Sequence, residues 1–337
     1  MGVFDTGEAG RAVALARVFR GSCLESVHFG HIAVADAGGK MWFSLGDPET
    51  GVWMRSAAKP FQVMPLVEMG GPAHFNLSGE ELAVMCASHN GEAIHVQAVQ
   101  SILHKIGLDE NALQCGVHRP LGVDLKVVPE TGDYRLLQNN CSGKHAGMLA
   151  ACRMRRWPVE SYLDPDHPHQ RTIRETLSRF SDLPEDEIAV GVDGCSAPVF
   201  HLPLHRVARM YARLAADTGA AATVFDSMWR YADYVAGRKR FDTDIMHALR
   251  GRLVAKTGAE GLQCFAVRKP QALGIAIKIA DGNNRAVPPV ALKLLLYLGV
   301  LEERDLLPLR HYVAPEVRNH RHILVGRIDC PVDLFTN

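Results

Sequence analysis

The chain has 337 residues, with 37 Lys+Arg against 37 Asp+Glu and a formal net charge of zero. That balance argues against nucleic acid or an anionic membrane surface as an obligatory partner. Hydrophobic residues make up 47% and charged residues 22%, ordinary for a water-soluble globular protein. No apolar run approaches the roughly 18 residues of a membrane span. The opening "MGVFDTGEAG" lacks the basic and apolar regions of a secretion signal, so a cytoplasmic protein is expected. Its eight cysteines are then expected to be reduced thiols rather than a disulfide scaffold. A single domain over residues 1–337 is expected, with residues 1–16 outside its ordered body.

The first elements read as β. "SVHFGHIAVAD" and "KMWFSLGD", separated by the turn "AGG" at 37–39, form a hairpin. From Ser56 the period changes. Phe61, Met64 and Val67 share a helical stripe, which Pro60 and Pro65 should kink or delay. "LSGEELAVMCASHNG" carries a capping box, Ser78 with Glu81, and should end as a helix near residues 88–91. "EAIHVQAVQSILHKIG" and "GKHAGMLAACRMRRW" continue a helical middle over about residues 56–180, packed on the sheet. "EIAVGVDGCSAPVF" reads as a buried strand entering a turn at Asp193-Gly194. "PLHRVARMYARLAAD" and "PPVALKLLLYLGVL" are helices, and "ALGIAIKIADGNNR" is a strand closed by a turn. The order predicts an α+β fold, an antiparallel sheet with flanking helices.

Ser56 and Lys59 form a Ser-x-x-Lys element. On a helical turn the two side chains share a face, so a neutral lysine can activate the serine hydroxyl. Amides at such a helix start would stabilise a developing anion. Alone, the spacing arises by chance in most long chains. It is followed by Ser88-x-Asn90 and by Lys256-Thr257-Gly258. These three elements, in this order, are the signatures of penicillin-recognising serine hydrolases. Two lysines beside one pocket lower each other's pKa and leave one able to act as a base.

"NNCSGKHAGMLA" contains Ser-Gly-Lys but is not a phosphate loop, because Gln138 and His145 stand where that motif needs Gly and Ser or Thr. It places Cys141, Lys144 and His145 at a helix start, and "VDGCSAP" adds Asp193 and Cys195. Sulfur with nitrogen suits zinc, and a pair of buried free cysteines is the alternative. His167 and His169, between prolines and acids, read as a solvated loop. His28 and His31 point to opposite faces of a strand and do not share a ligand.

Together "RSAAKP", "MCASHNGE", "NNCSGKHAGML", "DGCSAP" and "GIAIKIADGN" resemble the rhizobial-type L-asparaginases, from about residue 17 to the C-terminus. The resemblance implies a serine β-lactamase/glutaminase-like fold and a homodimer. It implies two serine–lysine tandems, Ser56 with Lys59 and Ser88 with Lys256. It also implies zinc held by Cys141, Lys144 and Cys195, with Asp193 and His145 lining that site. Lys144 must be deprotonated to bind metal, which burial and a neighbouring cation would favour. One departure stands in "GRKRFDTD", where relatives carry a cysteine and Asp242 is the nearest replacement.

The expected activity is hydrolysis of L-asparagine to L-aspartate and ammonia through an acyl-enzyme. Ser56 is the nucleophile, Lys59 its base, and Ser88 with Lys256 relays a proton. Arg55 is expected to pair with a substrate carboxylate. Zinc is expected to position the substrate, not to activate the nucleophile. Another acyl-transfer hydrolase (glutaminase, β-lactamase or peptidase) and a non-catalytic zinc-stabilised binding protein are the rival readings.

Overall fold

The computed structural model describes residues 12–331 with 334 and 335. Its strands are β1 (Val13–Arg20), β2 (Cys23–Ala35), β3 (Met41–Leu45), β4 (Gly51–Trp53), β5 (Ala189–Val192), β6 (Pro198–Pro203), β7 (Leu253–Thr257), β8 (Leu262–Val267), β9 (Leu273–Ile279), β10 (Glu316–Arg318) and β11 (Leu324–Asp329). The main sheet runs β10-β11-β1-β2-β9-β8-β7, with β3 also on β2, and every pairing is antiparallel. The fold is therefore an antiparallel sheet with flanking helices, as the element order predicts.

Residues 13–16, expected outside the ordered body, belong to β1, and Leu15 and Ala16 are fully buried. A left-handed Gly21 (φ 56°) turns the chain from β1 into β2. The part of that expectation covering residues 1–11 lies outside the described residues.

The longer helices are α1 (Gly79–Met85), α2 (Ala93–Lys105), α3 (Ser142–Arg155), α4 (Pro168–Ser181), α5 (Leu204–Ala216), α6 (Ala220–Arg230), α7 (Phe241–Leu249) and α8 (Val287–Tyr297). The helix laid across β2, β8 and β9 is α5, which follows the helical middle in sequence. Helices α1, α2 and α3 pack on one another instead, so the middle of the chain forms its own layer. Gly274 of β9 allows α5 to lie close. A Cβ there would meet the Ala208 carbonyl oxygen at 1.8 Å.

A small second sheet, β4-β6-β5, matters more for the site than its size suggests. Strand β5, expected to be buried, is largely exposed because it is the edge of this sheet. His167 and His169 also differ from expectation. His167 caps α4 by accepting the His169 amide, and both rings are buried rather than solvated.

Candidate active site

Five chain segments meet at one place. The first follows β4, where Pro60 and Pro65 break the expected helix into short pieces, Arg55–Ala58, Lys59–Gln62 and Met64–Glu68. The Met54 amide donates to the Phe200 carbonyl of β6 at 2.9 Å, and the Tyr211 hydroxyl of α5 donates to the Ala57 carbonyl at 2.7 Å. These bonds pin the turn from both sides. Arg55 is held in the left-handed region at φ 47°, a strained conformation for a side chain with a Cβ, of the kind that clusters at functional sites. Ser56 comes next. It is half-buried, and no side chain among the described residues hydrogen-bonds its hydroxyl.

The second segment leaves α1. The Ser78–Glu81 capping box forms as the sequence predicts, with Ser78 N donating to Glu81 at 2.7 Å. The helix stops at Met85, earlier than expected, and residues 86–92 run on without helix. Amides of Ser88 and Asn90 donate to the carbonyls of Val235 and Ala236, both at 2.9 Å, and His89 N donates to Asn140 O at 3.3 Å. The third segment is the start of α3. Gly143 lets α3 close on α1, since a Cβ there would strike the Val84 carbonyl oxygen at 2.1 Å. The close approach brings Lys144 and Cys141 towards the Ser88 loop.

Lys59 and Lys256 are both fully buried. Lys59 Nζ donates to the Ala87 carbonyl, contacts Ser88 Oγ at 3.0 Å and reaches Asn140 O at 3.3 Å. Lys256, from the edge strand β7, contacts the same Ser88 Oγ at 3.0 Å and the Thr257 carbonyl at 2.8 Å. Ser88 therefore bridges both lysines. Ser88 and Lys256, 168 residues apart, are thus in direct contact. The Ser56–Lys59 pair shares one turn, but Lys59 spends its hydrogen bonds on Ser88 and two carbonyls. Burial lowers the pKa of both lysines, to about 7 for Lys256. Charge repulsion adds to this but is secondary: Lys59 and Arg240 act on Lys256, and Lys144 acts on Lys59.

The turn between β5 and β6 supplies Asp193 and Cys195. Lys144 Nζ lies 2.9 Å from Cys195 Sγ. The Cys195 thiol donates to Cys141, which holds Cys141 as a thiolate well below the usual thiol pKa, while Cys195 is pushed up. Burial alone would lower the pKa of Lys144. The two sulfurs and Asp193 outweigh it and raise the pKa of the amine. Asp193 accepts from Arg55 Nε at 2.6 Å, so Arg55 is already neutralised by a carboxylate of the protein. His145 is fully buried with Nδ1 2.7 Å from the Tyr162 hydroxyl, away from the serines' hydrogen-bond network. Among the described residues no group of three or more His, Cys, Asp or Glu is arranged for a metal, so any cation here depends on the Lys144 amine.

Asp242 does not stand beside the sulfurs. Its carboxylate accepts the Thr257 amide at 2.7 Å, the Thr257 hydroxyl at 2.8 Å and Gln263 Nε2 at 3.0 Å, tying the N-terminus of α7 to the edge of β7. Sequence reasoning missed Arg240, two residues earlier, whose Nη1 donates to Ser88 O at 3.3 Å and Asn90 Oδ1 at 3.1 Å. It also missed Asn140 and Gln263. Only Thr257 carried a signal, as the middle residue of Lys-Thr-Gly. A separate cleft of about 800 Å³, lined by Glu92, Val96, Val128 and Tyr234 among others, is larger but holds none of the serines or lysines.

Among curated proteins none matches. Solved structures of Mglu are similar at low identity. The native form is 15% identical over 82% of this chain and 66% of that one, with a TM-score of 0.44. The L-glutamate-binding form in 4.3 M NaCl is 17% identical over 82% and 61%, with a TM-score of 0.45. A β-lactamase, Mb2281c from Mycobacterium bovis, is 13% identical over 81% and 95%, with a TM-score of 0.41. The chain thus spans a little under two thirds of the length of these two Mglu structures. No helix among the described residues is long and apolar enough to cross a membrane. A family model matches residues 16–330, from β1 through the serines, lysines and sulfurs to the end of the sheet, and its description is L-asparaginase II. The chain belongs to the L-asparaginase II family.

Proposed function

We propose that the protein is a serine amidohydrolase that converts L-asparagine to L-aspartate and ammonia. The carrying observation is the contact of one buried serine, Ser88, with two buried lysines of lowered pKa, beside a second serine that is accessible and unbonded. Family membership supports an amidohydrolase of this kind.

Each residue has a definite task. Ser56 attacks the side-chain amide carbon, because it is the serine a substrate can reach: Ser88 is only 5% exposed. Lys59, three residues on along the same turn, takes the hydroxyl proton. A neutral amine keeps two N–H groups for the Ala87 and Asn140 carbonyls and turns its lone pair to the Ser88 hydroxyl, so Lys59 takes the Ser56 proton by exchanging its Ser88 contact for Ser56. Ser88 then passes that proton between Lys59 and Lys256, and it returns to the nitrogen of the leaving ammonia. Water attacks the resulting ester by the same route in reverse. The strained Arg55 fixes where Ser56 points.

A second reading has its own observation. Ser88 is the hydroxyl hydrogen-bonded to the lysines, so it could be the nucleophile if the site opens.

The donor set of Cys141, Lys144 and Cys195 fits zinc by its chemistry: two sulfurs and an amine converge in a buried site and carry opposing charges that hold them together. These three residues would hold the ion, and a bound ion would supply positive charge to orient a substrate oxygen. Binding must displace the protons of Lys144 and Cys195, so affinity rises with pH. Protein purified without chelator is expected to carry about one zinc per chain by plasma emission spectrometry, falling to a trace in Cys195→Ser. Equal metal content in both would overturn this ligand set.

The function is tested by ammonia release from L-asparagine and L-glutamine, with nitrocefin read by colour. Asparagine is expected to be the preferred substrate, by about tenfold or more in kcat/KM. Turnover of nitrocefin alone would point to a β-lactamase, and preference for glutamine to a glutaminase.

A further inference from the structure

Beside Ser88 stands an arginine, Arg240, that hydrogen-bonds to no carboxylate. It is half-buried, and among the described residues it forms no ion pair. One guanidinium nitrogen, Nη1, donates to Ser88 O and Asn90 Oδ1. The carboxylate nearest in sequence, Asp242, is filled by Thr257 and Gln263. Arg55 differs, since it spends its charge on Asp193. The Asp242 carboxylate acts on it across space but makes no hydrogen bond with it. A partly desolvated guanidinium with no bonded carboxylate has N–H groups that a ligand carboxylate could take.

The space beside it has a suitable shape. A cavity of about 180 Å³ is lined by Arg240, Phe241, Thr257, Gln263, Asn284, Val287 and Pro288. Its polar lining comprises the Arg240 guanidinium and the Asn284 amide, which can recognise a carboxylate, and Thr257 and Gln263, whose own hydrogen bonds go to Asp242 and to each other. The cavity is small, on the scale of an amino-acid head group. It also adjoins the chemistry, because Arg240 Nη1 is 3.3 Å from the backbone oxygen of Ser88, whose hydroxyl touches both lysines.

We propose that Arg240 is the specificity-determining anchor for the α-carboxylate of the substrate, with the head group seated in the cavity between Arg240, Thr257 and Gln263. The proposal rests on the amidohydrolase reading for its reaction, but the subsite itself is a site for small α-amino acids. It makes the enzyme select free amino-acid amides over amides that lack the carboxylate. Losing one partner of a desolvated charge pair costs on the order of 2 kcal/mol or more, about 30-fold in affinity.

The test compares L-asparagine with its α-methyl ester, on wild type and Arg240→Gln. The substitution is expected to lower kcat/KM for asparagine about 30-fold or more, mainly through KM, and to change the ester by less than about threefold. Equal losses on both would mean that Arg240 only braces the Ser88 loop, and no loss on asparagine would also overturn the proposal. Should Arg240→Gln not fold, Arg240→Lys carries the same comparison, with a smaller loss confined to asparagine. Wild type alone must already prefer asparagine to the ester by about 30-fold, and equal rates would sink the idea without any variant. If wild type hydrolyses no amide, the amidohydrolase reading falls but this one is still decided by calorimetry with L-aspartate. Binding that weakens about 30-fold in the variant supports the subsite, while unchanged or absent binding to wild type overturns it.

Discussion

Ser56→Ala is expected to lower kcat for asparagine by at least about 10³-fold, with the fold intact, because the attacking atom is gone and nothing replaces it. Ser88→Ala is expected to cost less, about 10²- to 10⁴-fold, as for the loss of a general acid–base relay. The two can be told apart without kinetics. An acylating inhibitor should add its mass to the peptide that contains Ser56 in wild type and in Ser88→Ala, and to no peptide in Ser56→Ala. An adduct on the Ser88 peptide would reverse the roles and support the second reading. Retention of most activity in Ser56→Ala would end the serine mechanism at that position. The expectation for Ser56 comes from access, since its hydroxyl is unbonded and half-buried while Ser88 is enclosed by Lys59 and Lys256.

The second large effect is the dependence on pH. Burial lowers Lys256 from its ordinary 10.5 to about 7, helped by Lys59 and Arg240 and opposed by Asp242. Below that value the amine is charged and cannot receive a proton. The profile of kcat/KM is therefore expected to rise from pH 6 to pH 8 with a midpoint near 7. Asp242→Asn removes the one neighbouring charge that raises Lys256 most, so its midpoint should move to lower pH. A profile flat from pH 6 to 10 would remove Lys256 from the proton path.

Stability follows the same sign. The unfolded chain keeps this proton up to about pH 10.5 and the folded chain releases it above about pH 7. Between those values the unfolded state binds more protons, so stability rises with pH, and below about 7 the penalty is complete. Lys256→Met should raise the melting temperature at pH 7 while lowering activity by at least about 10²-fold.

Much of the site was legible because short motifs carry their own chemistry. Ser56, Lys59, Ser88 and Lys256 could be named from spacing and order, and the Ser78–Glu81 box formed where its residues stood. These are local patterns, in which hydrogen-bonding reach within one turn determines what forms. The partners were less legible. Lys59 is three residues from Ser56 but bonds to Ser88, which is 29 residues away, because the 86–92 loop is held against Val235, Ala236 and Asn140. The electrostatic surroundings of Lys144 were illegible for a similar reason. Its sulfur and carboxylate neighbours come from the β5–β6 turn, and their effect exceeds that of burial. The strand before Gly21 was missed because β1 has little alternation of its own and is defined by β2 and β11 on its two sides.

The chain by itself determined most of its element types, its antiparallel character and the two serines and two lysines proposed for the chemistry, since periodicity, capping and motif order are properties of neighbouring residues. Only the tertiary structure decided which serine touches which lysine, that Arg55 is neutralised by Asp193, and that Arg240 hydrogen-bonds to Ser88 and Asn90 rather than to a carboxylate. Those are sums over charges and contacts from segments up to some 200 residues apart, and desolvation, which sets the lysine pKa values, does not exist until those segments close around them.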